Sequence, residues 1–179
     1  MCESIRPASW FYVITNRTFV LDHVKDDVEQ MVKWLEEEDI TLHYLDSAFP
    51  FDVPLIPHWS HQNGACIDFT FVYNRGPRGL VYGDFEEPLQ NESNRPELCT
   101  TKNPLYSATK YLSPFSSDNP IDVPKTQKMV RRFLNNAMAN KCFLEFHLVE
   151  RWGLKHQKMR FHGCHAVRHD DHLHVEWKY

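Results

Sequence analysis

The chain has 179 residues, 42% of them hydrophobic and 13% aromatic, which is enough for one well-buried core and too few for two independent domains. Its 24 acidic and 20 basic residues give a formal charge of −4 with no long block of either sign, so neither nucleic acid nor an anionic membrane is an expected partner. No apolar run approaches the roughly 18 residues of a membrane span, so no transmembrane segment is expected.

The N-terminus lacks the basic and apolar regions of a secretory signal, so a periplasmic or extracellular location is expected only if a targeting segment has been removed ahead of Met1-Cys2. Five cysteines, Cys2, Cys66, Cys99, Cys142 and Cys164, include no CxxC pair. Their odd number argues against a complete disulfide framework and against cysteine-ligated zinc, leaving one or two bridges open.

Trp10 to Ile14 are β-branched and aromatic and predict a first strand, followed by a turn at Asn16-Arg17 and an extended piece at Phe19-Val20. The period then changes. Val24, Val28, Met31, Val32 and Leu35 form one apolar stripe of an amphipathic helix, with Asp22 as its expected N-cap and Glu36 to Asp39 as a solvated end. Thr41 to Leu45 predicts a strand. From Asp46 to Trp59 the prolines at 50, 54 and 57 prevent regular structure, and Phe49, Phe51, Leu55 and Trp59 serve either the core or a substrate groove.

That segment delivers the chain to Ser60-His61-Gln62-Asn63-Gly64-Ala65-Cys66-Ile67-Asp68. In the strand that follows, Ile67, Phe69, Phe71 and Tyr73 alternate with Asp68, Thr70 and Val72, so Asp68 is carried on the less apolar face of a buried strand. An unpaired carboxylate there would cost several kcal/mol, so a hydrogen bond, a cation or a metal is expected beside it. Gly64 lets the chain bend so that His61 returns toward Asp68.

Asn74 to Gly79 has hairpin chemistry and predicts a return strand at Leu80 to Tyr82. Residues 83–124 have little periodicity and read as an irregular insertion bordering a cleft, with a short helix at Leu105 to Leu112. Pro124 suits a helix start, and Met129, Val130, Phe133, Leu134, Ala137 and Met138 define a second amphipathic helix whose Lys128, Arg131 and Arg132 form a solvated face. Cys142 to Val149 alternates Phe143, Glu145 and His147 against Leu144, Phe146 and Leu148, predicting a strand that brings Glu145 and His147 to one side.

His162, His165, His169, His172 and His174 crowd the C-terminal tail, more than one metal can use. From Asp171 to Trp177 apolar and polar residues alternate, which sets Leu173, Val175 and Trp177 on one face of a strand and His172, His174 and Glu176 on the other. Same-face neighbours on a strand lie roughly 6 to 7 Å apart, so one imidazole can bind a metal while the other reaches a group held there. A solvated polar edge is the plain alternative. Alternation places Asp171 opposite His172, which makes it structural, and Arg168 suits a salt bridge or a substrate carboxylate.

Together His61, Asp68 and His174 form a two-histidine, one-carboxylate set, and three protein ligands with one position left for water describe catalytic zinc better than structural zinc. Ser60-His61-Gln62-x-Gly64-x-x-x-Asp68 and His169-Asp170-Asp171-His172-x-His174-Val175 resemble the paired motifs of the zinc peptidase superfamily of lysostaphin-type enzymes, D-Ala-D-Ala carboxypeptidases and hedgehog domains. The penicillin-insensitive murein endopeptidases are the nearest in pattern. The long middle of the chain takes no part in this resemblance.

The resemblance implies that His61, Asp68 and His174 bind Zn2+, with His172 as the nearer acid–base group and His169 as an orienting or oxyanion partner. It gives His58 no role, and His147 is an outside candidate. The expected architecture is α+β, an antiparallel sheet from the Asp68, Phe143 and His172 strands with helices on one face and the zinc on the other. The expected activity is zinc-dependent hydrolysis of amide bonds in peptidoglycan stem peptides. The alternative is a catalytically inactive, hedgehog-like zinc-binding module.

Overall fold

The computed structural model describes residues 6–8, 13–50, 61–75, 88–92, 119–162 and 169–179. These form a six-stranded sheet and three helices, roughly α+β. In chain order they are β1 (Arg6–Pro7), α1 (Asp22–Glu37), β2 (His43–Tyr44), β3 (Cys66–Thr70), α2 (Val123–Asn135), β4 (Ala139–Phe143), α3 (Phe146–Arg151), β5 (Met159–Arg160) and β6 (His172–Trp177). The spatial order is β1-β2-β3-β6-β4-β5. The four central strands pair antiparallel, as expected, but β1 joins β2 and β5 joins β4 in parallel, so the sheet is mixed.

The centre of the sheet fixes everything that matters for the site. β3 and β6 are in register at Cys66↔Glu176, Ile67↔Val175, Asp68↔His174, Phe69↔Leu173 and Thr70↔His172. Because strand side chains alternate between faces, this register puts Ile67, Phe69, Leu173, Val175 and Trp177 on one side and Cys66, Asp68, Thr70, His172, His174 and Glu176 on the other. β4 continues the pattern, with Cys142 beside Val175 on the apolar side and Lys141 and Phe143 beside Glu176 and His174 on the polar side.

The helices cover the apolar side. Val24, Val28, Met31, Val32 and Leu35 of α1 and Met129, Val130, Phe133 and Leu134 of α2 share one core with Ile67, Phe69, Leu173, Val175 and Trp177. Phe133 stacks on Phe69 with ring centroids 4.9 Å apart and meets Trp177 edge-on at 6.1 Å. Such offset and edge-to-face contacts add to the area the rings bury. From α3, Leu148 and Val149 enter the same core, and Trp152, just beyond its end, packs on Phe71 at 5.4 Å.

Several local expectations are corrected. Asp22 does not cap α1. The N-cap is Leu21, without a side-chain cap, and Asp22 is the first helical residue, where its charge still suits the helix dipole. Asp122 caps α2 through a Lys125 N–H bond of 3.0 Å, with Pro124 in the first turn as expected. α2 ends at Asn135, and Asn136 is extended with its side chain accepting from the Met138 N–H, so Ala137 and Met138 leave the helix.

The strand expected from Cys142 to Val149 stops at Phe143, and the chain turns into α3. Val13 and Ile14 are helical and exposed rather than extended. Phe19 does bridge Ala48 as an extended piece. The Leu80 to Tyr82 strand, the Leu105 to Leu112 helix and most of the 83–124 insertion fall outside the described residues. So do Trp10, Phe51, Leu55, His58, Trp59, Ser60, His165 and Arg168, together with Cys2, Cys99 and Cys164. Of the described residues, Cys66 and Cys142 are free thiols and buried, and no helix is long and apolar enough to cross a membrane.

Candidate metal centre

His61, Asp68 and His174, spread over more than a hundred positions, meet on the polar side of the sheet. Asp68 and His174 are direct cross-strand partners, and His174 Nδ1 lies 2.7 Å from Asp68 Oδ1. His61 comes from the turn ahead of β3, and its Nε2 lies 3.2 Å from the same oxygen and 3.0 Å from His174 Nδ1. The turn depends on Gly64, whose φ of +74° is a conformation side chains with a Cβ rarely take. An added Cβ would also sit 3.0 Å from the Phe19 ring.

The proton positions follow from the partners. His61 Nδ1 is 2.7 Å from the Ser47 carbonyl, which can only accept, so Nδ1 carries a proton and Nε2 faces Asp68 and His174. The Ser47 hydroxyl lies 2.6 Å from the Phe19 carbonyl and 2.8 Å from that of Cys66, fixing the segment that orients His61. A ring nitrogen donating to a backbone carbonyl is the usual outer support of a metal-binding histidine. Sequence patterning does not flag Ser47, because the group that acts is its main-chain oxygen.

All three side chains are buried. Burial would raise the Asp68 carboxyl, but the neighbouring His61, His172 and His174 rings outweigh it and hold Asp68 well below the usual carboxylate range. Burial would equally favour a neutral His174, yet Asp68, with hydrogen bonds to Cys66 and Glu176, leaves that ring well above the ordinary histidine value. The arrangement therefore attracts a positive charge between Asp68 and the rings. In the absence of a metal a proton supplies it.

Two imidazole nitrogens and a carboxylate oxygen match the donor preferences of Zn2+. A tetrahedral ion with bonds of about 2.0–2.1 Å spaces its ligands roughly 3.3 Å apart, slightly wider than the 2.7, 3.0 and 3.2 Å found here. Small side-chain rotations would admit it. A second grouping shares His174 with Cys66 and Glu176, so a thiol does stand within reach of the site that the sequence assigns to nitrogen and oxygen alone.

His172 occupies the neighbouring same-face position on β6. Its Nδ1 donates to Asp171 Oδ1 at 2.6 Å, and its Nε2 lies 3.8 Å from Asp68 Oδ2 without a hydrogen-bond partner among the described residues. This is a correction: Asp171 directly orients His172 instead of pointing away from it. β6 begins at His172, so strand alternation does not govern Asp171. Burial favours the neutral His172 ring, but the Asp171 and Asp68 carboxylates prevail and raise it.

His169 packs against these rings, tilted over His172 at 4.7 Å and edge-on to His174 at 5.8 Å between centroids. Burial, and then the like charges of His172 and His162, hold it well below the ordinary histidine value, so it is neutral. His147 is buried on α3 and belongs to none of the described donor groupings. Glu145 enters a different cluster, with His162 and His169. No protein-family model matches the chain, and no curated protein matches it in sequence.

Proposed function

We propose that His61, Asp68 and His174 hold a zinc ion and that the chain hydrolyses amide bonds in peptidoglycan stem peptides. The observation that carries the metal is the convergence of three buried donor atoms, each 2.7 to 3.2 Å from the other two, from a loop and two strands. Peptidoglycan as the substrate comes from the motif resemblance to murein endopeptidases.

Zinc, when bound, polarises a carbonyl oxygen and lowers the pKa of water to about 7. The chain's own residues supply the rest. His172 Nε2 faces the same space as Asp68 Oδ2 and is the base that takes a proton from the attacking water and hands it to the leaving amine. Asp171 fixes the His172 tautomer by accepting from Nδ1, and so keeps Nε2 aimed at the reacting atoms. His169, neutral and packed at a tilt against His172, holds that ring in place without competing for the proton.

The test is cleavage of purified muropeptides by zinc-loaded protein, followed by mass spectrometry of the products. Cleavage that stops on chelation and returns with zinc is the expected result. His172→Ala should lower the rate by about 10²–10⁴-fold, the usual contribution of a general acid–base group, with zinc still bound. Tight zinc binding without cleavage of any muropeptide would contradict the enzyme and leave a hedgehog-like binding module.

A further inference from the structure

On the far side of His169 lies a second group of donors that the proposed zinc centre does not use. Glu145, His162 and His169 each offer one ligand atom, all within 4.8 Å of one another. Glu145 stands where β4 gives way to α3, the point at which the chain departs from the expected strand. It is the N-cap residue of α3 but makes no side-chain cap bond. Its side chain turns instead to the tail, where Oε1 accepts the His169 N–H at 3.0 Å and lies 3.2 Å from His162 Nε2.

The group is short of partners. Glu145 is fully buried, and its Oε2 has no hydrogen-bond partner among the described residues. The His162 side chain is 4% exposed, and neither of its ring nitrogens has a hydrogen-bond partner among the described residues. Its ring stacks on His169 at 4.9 Å and 25°. A buried carboxylate oxygen and a buried imidazole without hydrogen-bond partners carry a desolvation cost that a coordinated cation would offset. Two imidazoles and a carboxylate are also the donor set of the first centre.

We infer that Glu145, His162 and His169 form a second site for a first-row divalent cation of the zinc type, adjoining the His61–Asp68–His174 centre through His172. It goes beyond the proposed peptidase centre, sharing no ligand with it. The two sites stand close because His169 lies against both His172 and His174. His169 is then a ligand rather than a proton carrier, and the second cation braces the ring stack that holds His172.

Metal-free protein titrated with Zn2+ and followed by calorimetry and metal analysis should take up two equivalents. Glu145→Gln and His162→Ala should each bind one, Asp68→Asn should also bind one, and Asp68→Asn combined with Glu145→Gln none. One equivalent in the wild type, abolished by Asp68→Asn and untouched by Glu145→Gln, would overturn the second site and leave the first reading standing. One equivalent lost only on changing Glu145 or His162 would do the reverse. Should the variants fail to fold, zinc-soaked crystals of the wild type decide the matter. Anomalous density about 2.0–2.2 Å from both Glu145 and His162 sustains the site, and its absence there overturns it.

Discussion

The two faces of the central sheet are built from the same strands, yet they are stabilised in opposite ways. On one face Ile67, Phe69, Leu173, Val175 and Trp177 meet the helices in a continuous apolar core. On the other, one pleat away, Asp68, His172 and His174 are buried too, packed on one another and on Phe143. The first face gains by excluding water, at about 25 cal/mol per Å² of apolar surface. The second gains only if its charges are compensated, since burying an ion pair costs nearly what the pair returns. Folding is thus supplied by one face, and the other holds chemistry that the fold must tolerate.

That contrast can be broken by substitution. Phe69→Ala, which empties the space against Phe133, should cost about 3–5 kcal/mol by urea denaturation while leaving zinc affinity in the surviving folded protein unchanged. Its neighbour Asp68→Asn should do the opposite. Loss of even an outer partner of a metal ligand costs 10–100-fold in affinity, so removing the carboxylate should cost the first centre more than about 100-fold, measured by competition with a chelator in the Glu145→Gln background, while unfolding stays cooperative. Zinc affinity retained there in Asp68→Asn would remove that difference between the faces.

Smaller changes sharpen the comparison within the polar face. Asp171→Asn leaves all three proposed ligands in place but turns off the carboxylate that fixes His172. Muropeptide cleavage should fall about 10–100-fold with zinc content unchanged. Glu176 sits at the margin, where His174, 3.8 Å away, and then Lys141 at 2.9 Å outweigh its burial and hold its carboxyl at about 2. A depressed carboxyl adds stability above the ordinary carboxylate range and loses it as pH falls through the folded value. Glu176→Gln should therefore cost about 1 kcal/mol near neutral pH, and the gap from wild type should close as pH is lowered from about 5 toward 2.

Much of this contrast was legible in the sequence. Strict alternation in Ile67–Tyr73 and Asp171–Trp177 separated apolar from polar residues correctly along β3 and β6, because both strands carry one buried apolar face whose register cannot slip without exposing it. The stripe of α1 was equally plain. The errors lie where an element ends. From Cys142 to Val149 an alternating pattern continues through a change from strand to a six-residue helix, too short for its period to stand out. Glu145 was thereby assigned to a strand face, and its contact with His162 could not be foreseen.

Asp171 fails for a related reason, since it precedes the first residue of β6 and the pleat does not govern it. Ser47 acts through its carbonyl, a group every residue carries, so no side-chain pattern could reveal it. Of the candidate residues, His61, Asp68, His172 and His174 lie together because three of them sit on paired strands and the fourth is returned by Gly64, features that strand alternation and a glycine turn make visible in a sequence.

X-ray absorption at the zinc edge of the loaded protein bears most directly on whether His61, Asp68 and His174 bind the metal. Only nitrogen and oxygen neighbours at about 2.0–2.2 Å are expected, with an imidazole pattern that weakens when Asp68→Asn empties the first centre. A sulfur neighbour at about 2.3 Å would contradict this and move the ion to Cys66, His174 and Glu176. Failure to take up zinc at all would contradict it outright.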